Sequence, residues 1–346
     1  MTKPAAPRSE EELDALLAAP RKATIAALAR APGDIIVLGA GGKMGPTLAR
    51  MAARARDGAD AGPRRRVIAV SRFSADGTEQ FLHQAGVETI KCDLLDRDAV
   101  ARLPDAPNVV FMAGQKFGTR DAPSRTWMMN VVVPSICAER YAGARIVAFS
   151  TGNVYPLTAV GGGGSHESDA TAPIGEYAQT CVGRERVFEH YATSGDTKVA
   201  IVRLNYANAL RYGVLTDLAL KVAYGHAIPL AMGHVNVIWQ GDANRMALEL
   251  LPHASSPPLI VNVTGTATLS VRELAAALGA RLGREPRFEG AEAADALLSN
   301  TERMRSLLGE PEMDIGTLLD WVADRVKRER PLLGSATHFE TRDGQF

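Results

Sequence analysis

Residues 35–45 read Ile35-Ile36-Val37-Leu38-Gly39-Ala40-Gly41-Gly42-Lys43-Met44-Gly45, and the fold turns on how they are understood. Four consecutive apolar residues mark a parallel strand covered on both faces. Glycines follow at once. Gly39 allows a tight turn at the strand end, Gly42 lets the backbone approach a pyrophosphate, and Gly45 permits close packing of the next helix on the sheet. Gly41, Lys43 and Met44 complete the turn. A diphosphate would sit at the following helix N-terminus, where unpaired N–H groups and the helix dipole favour anions. Placed between a strand and a helix, the stretch predicts a dinucleotide-binding turn.

Outward from this turn the same grammar repeats. Short apolar runs recur at Val67–Val70, Val109–Met112, Ile146–Phe149, Val199–Val202 and Ile260–Val263. Helix-compatible stretches separate them: Pro46–Ala55, Ala75–Ala85, Trp127–Ala142, Tyr177–Ala192 and Gly241–Leu251. Strands alternating with helices predict an α/β fold, a doubly wound parallel Rossmann sheet of about seven strands. Ahead of it, residues 9–30 read as amphipathic helices divided at Pro20, with Ser9 as N-cap before an acidic triplet. The Gly161–Ser165 tract reads as a mobile loop. Residues 337–343 either fold back or stay loose.

Composition excludes several classes of function. Lys plus Arg and Asp plus Glu number 39 each, so no global field holds nucleic acid or an anionic membrane. No apolar run approaches the ~20 residues of a membrane helix, and the first residues predict no secretory leader. Three widely spaced cysteines, Cys92, Cys137 and Cys181, predict a reducing, cytoplasmic location and no zinc site. The histidines show no metal-ligand spacing either, so no metal is expected.

The GxxGxxG spacing of Gly39, Gly42 and Gly45 resembles that of the extended short-chain dehydrogenase/reductases, the NAD-dependent epimerase/dehydratases. Further motifs carry the resemblance over about residues 34–325. Cys92-Asp93-Leu94 is similar to the family's adenine-contacting pair, Asp93 and Leu94, and Ala113-Gly114 to its cofactor-lining turn. Phe149-Ser150-Thr151-Gly152-Asn153-Val154-Tyr155 resembles its serine/threonine motif, which points to Thr151 as the hydroxyl on the reacting oxygen. Tyr177 stands where the catalytic tyrosine stands, with Glu167, Pro173, Glu185, Arg203, Asp242 and Asn262 at further matching positions. The resemblance implies a smaller interleaved C-terminal substrate lobe. The expected division is a helical extension over 1–33, a Rossmann domain over 34–205 completed by about 236–265, and the lobe with its tail over 206–235 and 266–346. It also implies a homodimer through helices 127–142 and 177–192.

Ser71-Arg72 follows the second strand. An acidic residue there would bond the adenosine ribose, whereas a small residue followed by Arg suits a 2′-phosphate, so NADP is preferred and NAD stays open.

One position breaks the pattern. The family pairs its tyrosine with a lysine four residues on, and here that residue is Cys181, which supplies no charge to lower the pKa of Tyr177. Two cations are candidates to replace it. Arg184 lies on the same helix face and leans back toward Tyr177. Lys116 follows the fourth strand, at the end of the sheet where ligands bind. Asn153, Asn205, Tyr206 and Arg211, with Lys116, are the candidate substrate contacts, although Asn205-Tyr206-Ala207-Asn208 alters the family's usual form. His166 and Glu167 read as an exposed loop pair.

The expectation is therefore an NAD(P)-dependent oxidoreductase or epimerase/dehydratase acting on a hydroxylated, sugar-like small molecule. Tyr177 would serve as acid and base, with Thr151 orienting the oxygen. The alternative is a NADP(H)-binding sensor, or a non-redox protein of the same fold.

Overall fold

The computed structural model describes residues 5–57 and 65–345. Strand β1 (Ile35–Leu38) is fully buried and lies between β2 (Val67–Ser71) and β4 (Asn108–Phe111), parallel to both. With β3 (Glu88–Lys91), β5 (Arg145–Thr151), β6 (Lys198–Leu204) and β7 (Leu259–Val263) it forms a seven-stranded parallel sheet of order β7-β6-β5-β4-β1-β2-β3. The order reverses between β1 and β4, so the crevice beyond their carboxyl ends is where a ligand binds in sheets of this kind.

Strand β3 escaped the sequence reading for a physical reason. It is an edge strand with the half-exposed sequence Glu-Thr-Ile-Lys, and it never shows the continuous apolar run of its six partners.

Helices cover both faces of the sheet. On one side lies α3 (Gly45–Asp57). On the other, α4 (Pro123–Arg140), whose middle Met128–Val132 is π-helical, packs against α5 (Gly175–Thr193). The 9–30 segment forms α1 (Glu10–Leu17), capped by Ser9, and α2 (Lys22–Ala29). Leu13, Leu17 and Leu28 of these helices are buried, so the extension belongs to the core.

A second apolar core gathers α6 (Val214–Tyr224), α8 (Val271–Leu282) and α9 (Ile315–Lys327) through Leu215, Leu218, Leu274, Leu278, Leu318 and Val322. Between the two cores runs α7 (Gln240–Glu249), buried along its whole length and packed on α2 and α3. The chain thus leaves the sheet after β6, returns at α7, and adds β7 late.

Two loops are more ordered than their composition suggests. Ser165 donates its N–H to the Leu298 carbonyl at 2.9 Å, and its own carbonyl accepts from Asn262 at 2.9 Å, which anchors the glycine tract. Residues 337–344 fold back, and Phe339 is buried in the second core.

Candidate functional site

The turn after β1 owes its shape to close approaches. Gly39 has φ +88°, and a β-carbon there would stand 2.5 Å from the Ala113 nitrogen. The turns after β1 and β4 therefore touch, and only glycine fits. Gly45 meets the Ala40 carbonyl in the same way, which seats α3 directly on the turn. At Gly42 a β-carbon would find nothing closer than 3.7 Å, so the backbone there is bare toward the crevice.

That crevice is a cavity of about 410 Å³, lined by Gly39, Gly42–Gly45, Gly114, Lys116, Thr151, Asn153, Tyr177, Asn205 and Tyr206 among others. Of the residues expected from sequence to carry the chemistry, Thr151, Tyr177 and Lys116 meet in it. A second cavity of about 510 Å³ adjoins it across Gly42 and Lys43 and reaches Gly41, Ala75–Thr78 and Arg211.

Tyr177 sits in the first turn of α5, and its hydroxyl is hydrogen-bonded with Thr151 and Cys181. Thr151 ends β5, where its Oγ1 accepts from the Asn153 backbone at 3.1 Å and side chain at 2.9 Å. Burial pushes the Tyr177 phenol well above its usual range; Cys181 adds to the rise and Arg184 opposes it. Tyr177 therefore stays protonated near neutral pH, a hydrogen-bond donor rather than a phenolate.

Lys116 stands on the facing wall, its Nζ 5.9 Å from the Tyr177 ring centroid and 3.4 Å from the Thr337 carbonyl. Burial lowers its pKa to about 8, against the opposing pull of Cys181, Asp217 and Glu340.

Arg184 is sealed beneath the site. It donates to the Phe149 carbonyl at 2.9 Å and to Asn130 Oδ1 at 2.6 Å, and a β-carbon on Gly114 would strike its guanidinium. Its charge acts on Tyr177 and Cys181 through the protein rather than from the cavity.

Behind the cleft lies a buried polar scaffold. Arg203 pairs with Glu185 at 2.7 Å, Ser150 donates to the same carboxylate at 2.6 Å, and Arg203 donates to the Tyr155 hydroxyl at 2.6 Å. Tyr155 donates on to Asn262, whose backbone N–H donates to Glu167 at 2.8 Å. Glu167 is thus a buried scaffold member and not half of an exposed loop pair; His166 is exposed.

Other candidates fall elsewhere. Arg211 does not face the substrate cleft: it is ion-paired to Glu10 at 2.5 Å and Asp14 at 2.7 Å of α1. Asn205 is buried, donating to the Leu297 carbonyl at 3.2 Å. Tyr206 has φ +42°, an uncommon backbone state for a bulky residue. Ser71 packs against Gly41 at the end of β2, with Arg72 exposed beside it. Asp93 is exposed and caps the turn at Leu95, while Leu94 and Ala113 are buried.

Lys43, expected as part of the glycine turn, lines the cleft together with Tyr212; Phe117 and Thr337 also line it and were not among the residues expected from sequence. Among the described residues no group of His, Cys, Asp and Glu could hold a metal, and no helix is long and apolar enough to cross a membrane.

A family model described as the NAD dependent epimerase/dehydratase family matches residues 35–244. No curated protein matches the sequence. Among solved structures, the UDP-Glc/GlcNAc 4-epimerase of Campylobacter jejuni is similar at TM-score 0.70 and 21% identity, over 86% of this chain and 100% of that one. The Thermus thermophilus UDP-glucose 4-epimerase, solved with NAD, is similar at 0.69 and 18%, over 85% and 99%. MoeE5 in complex with UDP-glucose and NAD is similar at 0.67 and 18%, over 86% and 99%.

Proposed function

Since the chain belongs to the NAD-dependent epimerase/dehydratase family, we propose that it is a nicotinamide-nucleotide-dependent enzyme acting on a hydroxylated, sugar-like small molecule. The observation that carries this reading is the convergence of the bare glycine turn, Thr151 and Tyr177 on one cavity. Gly42 leaves backbone open where a dinucleotide pyrophosphate would lie, and Gly39 and Gly45 let the turn and α3 pack closely enough to present it, so the residues present fit that group. Bound there, the cofactor supplies a hydride acceptor or donor at its nicotinamide ring.

This chain's residues then do the following. Thr151 holds the reacting substrate oxygen, and Tyr177 exchanges its proton at that oxygen, starting from the neutral phenol. Lys116, facing Tyr177 across the cleft, and Arg184, beneath it, supply the positive field that a lysine at position 181 would have given. Asn153 and Tyr206 border the substrate. Ser71 and Arg72 favour a 2′-phosphate on the cofactor, hence NADP over NAD. We place the enzyme in the cytoplasm, as a homodimer paired over α4 and α5.

The test starts with mass spectrometry of the small molecules released on denaturation, then titration with NADPH and NADH. Binding of neither nucleotide would refute the reading. Tyr177→Phe is expected to cut turnover by about 10²–10⁴-fold and leave nucleotide affinity nearly unchanged. A sensor that binds NADP(H) without turnover is the second reading, favoured by Cys181 and by the neutral Tyr177. It predicts that Tyr177→Phe alters no output.

A further inference from the structure

Residues 337–344 run along the cleft between the two cores and touch both walls. Thr337 donates its N–H and Oγ1 to Asp217 of α6 at 2.8 and 2.6 Å, while its carbonyl accepts from Lys116 beyond β4. One residue thus ties the lobe to the sheet. Further along, the Phe339 carbonyl accepts from the Tyr206 hydroxyl at 3.2 Å, Glu340 pairs with Lys221 at 3.0 Å, and Arg342 pairs with Asp295 at 2.5 Å. Gly344 closes on Gly175 at the start of α5, where a β-carbon would meet it at 2.6 Å. A small void of about 20 Å³ is bordered by Asn153, Thr341, Arg342 and Gly344.

The space left is small. Sites for one drug-sized ligand span ~300–1,000 Å³, and here about 410 Å³ must admit the nicotinamide end of a cofactor as well as a substrate.

The open corner is cationic and aromatic. The Lys43 ammonium lies 3.1 Å from the Tyr212 ring centroid and 4.8 Å from that of Phe117, with Asp217 acting on it as a nearby carboxylate. Lys116 lies 5.5 Å from the same Phe117 ring. The carboxylates that act on Lys116, Asp217 and Glu340, are already engaged by Thr337 and Lys221. Two like charges in a partly desolvated corner repel each other, and an anionic group between them relieves both repulsion and desolvation.

Building on the function proposed above, we propose that the cleft takes a small hydroxylated substrate bearing its own carboxylate or phosphate. Lys43 and Lys116 hold that anion, and residues 337–342 exclude a sugar linked to a nucleotide.

The experiment is calorimetric titration of the full chain saturated with NADPH or NADH, using glucuronate, glucose 1-phosphate, glucose and UDP-glucose as probes. One of the two anions is expected to bind, separating carboxylate from phosphate, with glucose about tenfold weaker or more and UDP-glucose silent. Measured on the nucleotide-saturated chain, Lys43→Met is expected to weaken the anion about tenfold; an unchanged anion affinity in that variant would overturn the proposal. Removal of residues 335–346 should admit UDP-glucose. Because Phe339 is part of the core, the double variant Glu340→Ala, Arg342→Ala, which loosens the segment at full length, should do the same. UDP-glucose binding to the intact chain, or silence of both anions, overturns the proposal while nicotinamide binding stands. Failure of both nicotinamide nucleotides would instead defeat the function on which it rests.

Discussion

At the residue scale, Cys181 and Arg184 act as a linked pair. Cys181 is fully buried against Val154, Tyr155 and Tyr177, and the guanidinium of Arg184 closes the space below Gly114. Cys181→Lys, which restores the family's residue type, is therefore expected to destabilise the protein by about 3 kcal/mol, because it buries an ammonium beside an existing cation. Thermal or urea unfolding measures it, and an unchanged midpoint would show that the two positions are independent. Lys116 sets the expected pH response. Its pKa of about 8 means that it is charged below pH 8 and neutral above. The groups acting on it are Cys181, Asp217 and Glu340, and it in turn acts on Lys43. Burial and the charge of Lys116 lower Lys43 to about 8 as well. Affinity for an anionic substrate should therefore fall as pH rises through about 8, as both lysines lose charge, and Lys116→Met should shrink the fall and leave the Lys43 share of it. The Tyr177 phenol contributes no inflection there, since burial holds it protonated.

At the element scale, the N-terminal helices and the lobe are joined by Arg211. It bridges Glu10 and Asp14, and Arg325 of α9 pairs with Glu10 from the other side at 2.8 Å. Arg211→Ala removes the arginine that pairs with Asp14 and one of the two that pair with Glu10, with an expected loss of about 1–3 kcal/mol. Hydrogen exchange should rise first in α1, while cofactor affinity stays near the parent's. A substrate role for Arg211 would instead appear as a raised KM at unchanged stability. Sequence placed this arginine in the substrate set because it follows β6, where site residues gather. Its partners lie some 200 positions earlier, a pairing that no local pattern encodes.

At the scale of the whole molecule, α4 and α5 pack on each other and leave Trp127, Met128 and Ile174 exposed near the start of both. If the homodimer proposed above forms over these helices, Trp127→Asp with Met128→Asp should give a monomer by analytical ultracentrifugation at micromolar concentration. A parent protein that is itself monomeric would remove the pairing.

The local sequence determined the parallel sheet, the glycine turn and the positions of Thr151 and Tyr177. Each is written in a few adjacent residues: a buried apolar run, a glycine where no β-carbon fits, a hydroxyl at a strand end. Strand β3 lacked that local signature, being half exposed at the sheet edge. Tertiary structure alone decided which charges meet. The union of Lys43 with Lys116, the sealing of Arg184 under Gly114, the burial of Glu167 and the return of residues 337–344 across the cleft all join distant parts of the chain. Side-chain burial and long-range pairing depend on how whole elements pack, and that packing is a property of the assembled fold rather than of any one segment.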